Sequence, residues 1–121
     1  MRRALTVHVL DMSKGESAEG MRVTVEKING SDFLEVARAL TAKNGRTENP
    51  LLSGEAFSEG RYRIQFYAGK YFEKDGTTKG RARFVDVITF EWDVPPASED
   101  PAGFHLPVVV TPFSYSIYRG S

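Results

Sequence analysis

The sequence predicts an all-β sandwich with one short helix, and three observations carry that prediction. Short runs of β-branched and aromatic residues recur along the 121 residues. Turn signals built from Gly, Pro and Asn-Gly separate them at regular intervals. A single stretch, bounded by Gly69 and Gly76, lacks β-branched residues and suits one or two helical turns. About seven or eight strands with turns between them fit a sandwich. Residues 1–121 form one domain, which buries roughly two thirds of the surface its unfolded chain exposes.

The elements follow in order. "LTVHVL", Leu5 to Leu10, reads as a strand stopped by the polar loop "DMSKGESAEG". "MRVTVEKI" alternates Val23 and Val25 against Thr24 and Glu26, meets Asn29-Gly30 and continues into "SDFLEVARAL", which predicts a β-hairpin. "TAKNGRTENPLLSG" holds Asn44-Gly45, Pro50 and Gly54, so Arg46 belongs to a turn or the lip of a short strand. In "RYRIQFY", Tyr62, Ile64 and Phe66 share the face opposite Arg61, Arg63 and Gln65, the pattern of a strand with one buried face. "GKYFEKDG" is the helical stretch. "RFVDVITFEWDV" is a further strand, ended by Pro95-Pro96, and "PPASEDPAG" is a loop. "FHLPVVVTPF" and "SYSIYRGS" form two last strands parted at Thr111-Pro112, with Pro107 implying an edge or bulge just after His105.

Composition narrows the function classes. Sixteen Lys plus Arg balance sixteen Asp plus Glu, which argues against nucleic-acid or anionic-membrane binding driven by a strong overall field. The basic run "KGRAR" reads as a solvated loop. There is no cysteine, so disulfides, thiolate nucleophiles and Cys-type zinc sites are excluded. The expected location is the cytoplasm, with which the absence of cysteine is compatible without being proof of it. His8 and Asp11 interrupt the apolar stretch of "MRRALTVHVLD", which therefore reads as the first strand rather than a secretory leader. No apolar run is long enough for a transmembrane helix.

Chemistry has few places to reside. The only histidines are His8, on the first predicted strand, and His105, at the start of the penultimate one. Three readings are open: ordinary strand residues, metal ligands, or an acid–base pair. Metal binding lacks a third ligand at recognisable spacing, and no metal is expected. Acid–base work suits imidazole, which exchanges a proton near neutral pH. Its companions would be Arg46, Arg119 and Ser121: a guanidinium forks onto planar urea-like or carboxylate-like groups, and a hydroxyl positions water or relays a proton. Their bland alternatives are a solvated loop charge, an edge-strand charge and a frayed end. No phosphate loop, GxSxG elbow or calcium loop is present.

Four stretches resemble a known family in the same order. "LTVHVLD", "GR" followed by "PLL", "GRYRIQFYAGKYF" and "HLPVVVTPFSYSIYRGS" are similar to the transthyretin-like proteins that are 5-hydroxyisourate hydrolases, over nearly the whole chain. The terminal "YRGS" is the most specific element, since it separates those hydrolases from the thyroid-hormone carrier of the same fold. The resemblance implies a transthyretin-like β-sandwich of two four-stranded sheets with one short helix, assembled as a homotetramer, a dimer of dimers. It implies catalytic roles for His8, Arg46, His105 and Ser121 and substrate-binding roles for Tyr118, Arg119 and Gly120. The implied reaction opens a ring amide of 5-hydroxyisourate, a product of urate oxidation, without metal or organic cofactor.

Three departures accompany the likeness. Gly103 stands in "GFH" where the family commonly has the first histidine of His-Tyr-His, and "RFVDV" replaces a Phe-Pro-Glu stretch. The loops "DGTTKGRAR" and "PPASEDPAG" are longer than usual. The alternatives are a transthyretin-like module that binds a small ligand without turnover, and a hydrolase of a different cyclic ureide.

Overall fold

The computed structural model describes residues 3–121. The chain runs β1 (Ala4–Asp11), β2 (Glu16–Ser17), β3 (Arg22–Asn29), β4 (Asp32–Leu40), β5 (Leu52–Ser53), β6 (Gly60–Tyr67), α1 (Ala68–Lys74), β7 (Val87–Val94), β8 (Phe104–Thr111) and β9 (Ser114–Ile117). These strands make the predicted sandwich. One sheet has the order β4-β3-β6-β7; the other runs β2-β1-β8-β9, with β5 also paired to β1. The second sheet therefore has five strands rather than the four the resemblance implied. The difference comes from two-residue strands: β2 pairs with Leu10 and Asp11, and β5 with Ala4 and Leu5, at opposite ends of β1.

Alternation builds the core. Leu5, Val7 and Val9 of β1 and Phe104, Leu106, Val108 and Val110 of β8 turn inward, where they meet Tyr62, Ile64 and Phe66 of β6. Burying each such side chain is worth about 1.5–3 kcal/mol, which pins the register of both strands. A one-residue slip of either strand would turn its whole apolar set to the outer face. The alternate residues of β1 and β8, Thr6, His8, His105 and Pro107 among them, are left half-buried on the outer face.

Three local outcomes refine the sequence reading. The predicted hairpin closes with Asn29 opposite Asp32, so Gly30-Ser31 form the turn. Only Gly30, at φ 63°, takes a positive φ there, as a type II′ turn requires at its first central position. The strand predicted from Arg83 begins at Val87 instead. The Val85 amide donates to Pro112 O (3.1 Å) and the Asp86 carbonyl accepts from Gly69 (2.8 Å), so tertiary bonds draw this segment out of the sheet. Asp11, fully buried at the end of β1, accepts from the Tyr71 hydroxyl at 2.8 Å and so ties α1 to that strand.

Candidate active site

Parallel pairing of β1 with β8 creates the site. Thr6 registers with His105 and His8 with Pro107, so residues about a hundred positions apart share one outer sheet face. The Thr6 hydroxyl lies 2.8 Å from His105 Nδ1. When Nδ1 donates in that bond, Nε2 carries the lone pair and is the basic nitrogen. Thr6 is a site residue that sequence reading missed; its position two before His8 on one strand face was the available signal.

Arg46 approaches from the open edge of β1. Between β2 and β5 that edge is crossed by the loop at Asn44-Gly45, where Gly45 O accepts from the Val9 amide at 2.9 Å. Gly45 has φ 79°, and a Cβ there would stand 2.4 Å from Val9 O and 3.2 Å from His8 Cδ2. Only glycine allows this approach. The loop brings Arg46, the residue after Gly45, to this edge of β1, with its side chain exposed and engaged by no hydrogen bond or ion pair among the described residues.

The tail lies along the other side of β8. Past Ile117, regular pairing gives way to single bonds: Tyr118 N to Pro107 O at 3.3 Å and Gly120 N to His105 O at 2.6 Å. The edge or bulge expected after His105 does not form: β8 is an inner strand between β1 and β9, Pro107 pairs in register with His8, and its missing N–H falls one residue beyond the regular β9 ladder. A Cβ on Gly120 would come 2.9 Å from His105 Cδ2, so glycine lets the tail close against the imidazole. An open groove of about 490 Å³ is lined by Thr6, Gly103, His105, Arg119, Gly120 and Ser121, among others. His8, Arg46 and the exposed Tyr118 ring do not line it. A cavity of about 540 Å³ against Arg3, Phe57, Glu59 and Pro101 contains neither histidine.

Arg119 is differently placed from Arg46. Its Nη2 donates to Asp100 Oδ2 at 3.1 Å and to Gly103 O at 3.3 Å, and its guanidinium carbon lies 3.8 Å from the Phe104 ring centroid. Gly103 has no room for the histidine found there in the family: a Cβ would lie 2.5 Å from Ala4 O.

Electrostatics favour a neutral His105. Burial pushes its imidazolium down from the ordinary value of 6.5, and the charges of Arg46 and His8 push the same way. Laid out across the face, Arg46, His8, His105 and Ser121 come from the β1-edge loop, β1, β8 and the tail in turn. A cation, two imidazoles and a hydroxyl so arranged equip a site to activate water and steady an oxyanion. Among the described residues, no group of three or more His, Cys, Asp or Glu is placed to hold a metal ion.

The two sheets and their strand order define a transthyretin-type sandwich with a polar site on one outer face. The chain belongs to the HIUase/Transthyretin family, whose model matches residues 5–120. It is 38% identical over 117 residues to the 5-hydroxyisourate hydrolase of Deinococcus radiodurans, covering 97% of this chain and 95% of that one. Among solved structures, (S)-allantoin synthase superposes with a TM-score of 0.88 at 33% identity; the match covers 99% of this chain but 44% of that longer one. Sea bream transthyretin in complex with thyroxine superposes with a TM-score of 0.84 at 25% identity, covering 97% and 94% of the two chains.

Proposed function

We propose that this chain hydrolyses 5-hydroxyisourate to 2-oxo-4-hydroxy-4-carboxy-5-ureidoimidazoline, a step of urate degradation. The observation that carries the reading is the gathering of His8, Arg46, His105 and Ser121 along one sheet face and its borders. The curated relative's activity supports it.

Water held between His8, His105 and the Ser121 hydroxyl gives a proton to His105 Nε2. Its oxygen bonds to the ring carbonyl carbon, the ring C–N bond breaks, and the proton passes to the departing nitrogen. His105 is assigned as base because its depressed pKa keeps it unprotonated at neutral pH and Thr6 holds its ring. Arg46, free of any carboxylate partner among the described residues, steadies the developing oxyanion and grips the substrate's oxygens. Tyr118 and Gly120 serve substrate binding through backbone bonds that hold the tail on β8.

A homotetramer, a dimer of dimers, goes with this reading. The chain leaves its histidine-bearing face uncovered, and a second copy's face would turn the open groove into an enclosed one. A cytoplasmic location belongs to the same reading; no helix among the described residues is long and apolar enough to cross a membrane.

Freshly oxidised urate tests the proposal. The wild-type protein hastens the decay of the intermediate's ultraviolet absorbance, and no acceleration at any protein concentration sinks the hydrolase reading. Binding of the intermediate without turnover favours a carrier, as the likeness to thyroxine-bound transthyretin would then suggest. Turnover confined to another cyclic ureide shifts the substrate while keeping the chemistry.

A further inference from the structure

We infer that Asp100, in the loop between β7 and β8, is a positioning residue that acts through Arg119 to hold the Ser121 tail against His105. The inference rests on the hydrolase reading above for its catalytic consequence, and on geometry alone for the clamp itself.

The clamp is built from both sides. Asp100 Oδ1 accepts from the Ala102 amide at 3.2 Å and Asp100 N donates to Pro96 O at 3.1 Å, so the carboxylate is fixed within its own turn. Its other oxygen, Oδ2, meets Arg119 Nη2. The loop ends at Gly103, whose backbone packs so closely on Ala4 that no Cβ fits, and whose carbonyl also accepts from Arg119. The guanidinium then stacks on Phe104, a buried ring that itself packs edge-on against Phe57 at 6.0 Å between centroids. Arg119 is thus held by a charge, a carbonyl and a ring, all anchored in the sandwich.

The next residue transmits that grip to the site. Gly120 N donates to His105 O at 2.6 Å, and Ser121 follows it into the groove beside His105. A tail this short frays unless tied down. An exposed ion pair by itself contributes little, but here it is joined by the stacking and the carbonyl bond. The two arginines divide the labour: Arg119 has its charge matched by Asp100, while Arg46 keeps its own for substrate.

Two readouts on the full-length enzyme test this: hydrogen exchange at the Gly120 amide, and steady-state kinetics on 5-hydroxyisourate. Asp100→Asn and Arg119→Ala each speed Gly120 exchange and lower kcat, by about tenfold for the combined ion pair and stacking, with KM changed less than about twofold. Asp100→Glu, which restores the carboxylate, recovers most of the lost kcat. Combining Asp100→Asn with Arg119→Ala costs no more than Arg119→Ala alone. Unchanged Gly120 exchange in both single variants overturns the clamp whatever the turnover. Faster exchange with unaltered kcat overturns the positioning role, as does a raised KM in Arg119→Ala with Asp100→Asn silent, the pattern of a direct substrate ligand. If the wild type fails to turn over 5-hydroxyisourate, the hydrolase reading and the positioning role fall together, and the exchange data still decide whether the tail is clamped.

Discussion

The inner and outer faces of the β1–β8 pair differ at every second residue. Inward, Leu5, Val7, Val9, Phe104 and Leu106 are almost wholly buried and exclude water. Outward, Thr6, His8 and His105 are half-buried polar groups with hydrogen-bonding capacity to spare. The strict two-residue period of a strand makes this separation possible. The core face fixes where the backbone runs, and the outer face inherits positions accurate enough for chemistry without contributing to the core. The sheet supports the two histidines, while a loop and a tail bring Arg46 and Ser121 to its borders.

The comparison can be broken at several places, with effects of decreasing size. Deleting Ser121 removes a groove-lining hydroxyl and leaves both sheets intact; turnover falls by about 10²-fold with unfolding temperature unchanged. Calorimetry beside the absorbance assay checks both halves, and an unaffected rate returns the tail to being merely an end. Gly45→Ala mixes the two faces, since its Cβ collides with Val9 O and its φ of 79° suits only glycine. It destabilises the fold by about 1–3 kcal/mol and, by displacing Arg46, lowers kcat/KM by about tenfold. Denaturant titration and kinetics on the same sample separate the two losses.

The smallest effect is one of pH. His105 is held below its ordinary value of 6.5 by burial, by Arg46 and by His8, so the unprotonated base persists to a lower pH than free imidazole would allow. Removing the Arg46 charge relieves part of that depression. The acid limb of kcat/KM for the residual activity of Arg46→Ala therefore moves to higher pH, towards the ordinary value. The same linkage makes folding more favourable above that value than below it, because the unfolded state binds the proton more readily as pH falls. A limb that stays in place removes Arg46 from the neighbourhood of His105.

Much of the architecture was legible because burial writes a period into the chain. "RYRIQFY" and "LTVHVL" announce one-faced strands, Asn29-Gly30 announces the hairpin, and Pro95-Pro96 marks the end of β7. What stayed hidden had no local pattern. β2 and β5 are two residues each, too short to show a period, which is why the second sheet has a strand more than the resemblance implied. "RFVD" has strand composition, yet bonds to Gly69 and Pro112 divert it. In the site, the two histidines stood out by rarity, Arg46, Arg119 and Ser121 were named as companions by their chemistry, and Tyr118 and Gly120 entered through the family likeness. Thr6 and Asp100 did not, since one depends on a register between residues 99 apart and the other on an ion pair between a loop and the tail. The exposed Tyr118 ring lies away from the groove, as do His8 and Arg46, which stand further along the same sheet face.

The central claim, that hydrolysis belongs to the outer face while stability belongs to the inner one, is tested most directly by two neighbouring substitutions in β8. His105→Asn and Leu106→Ala are compared for 5-hydroxyisourate turnover and for denaturant unfolding. His105→Asn is expected to lose about 10²–10⁴-fold in kcat with little change in stability. Leu106→Ala is expected to lose about 2–5 kcal/mol of stability while each folded molecule keeps near wild-type turnover. Wild-type turnover by His105→Asn, or an equal loss of kcat from both substitutions in fully folded protein, would contradict that claim.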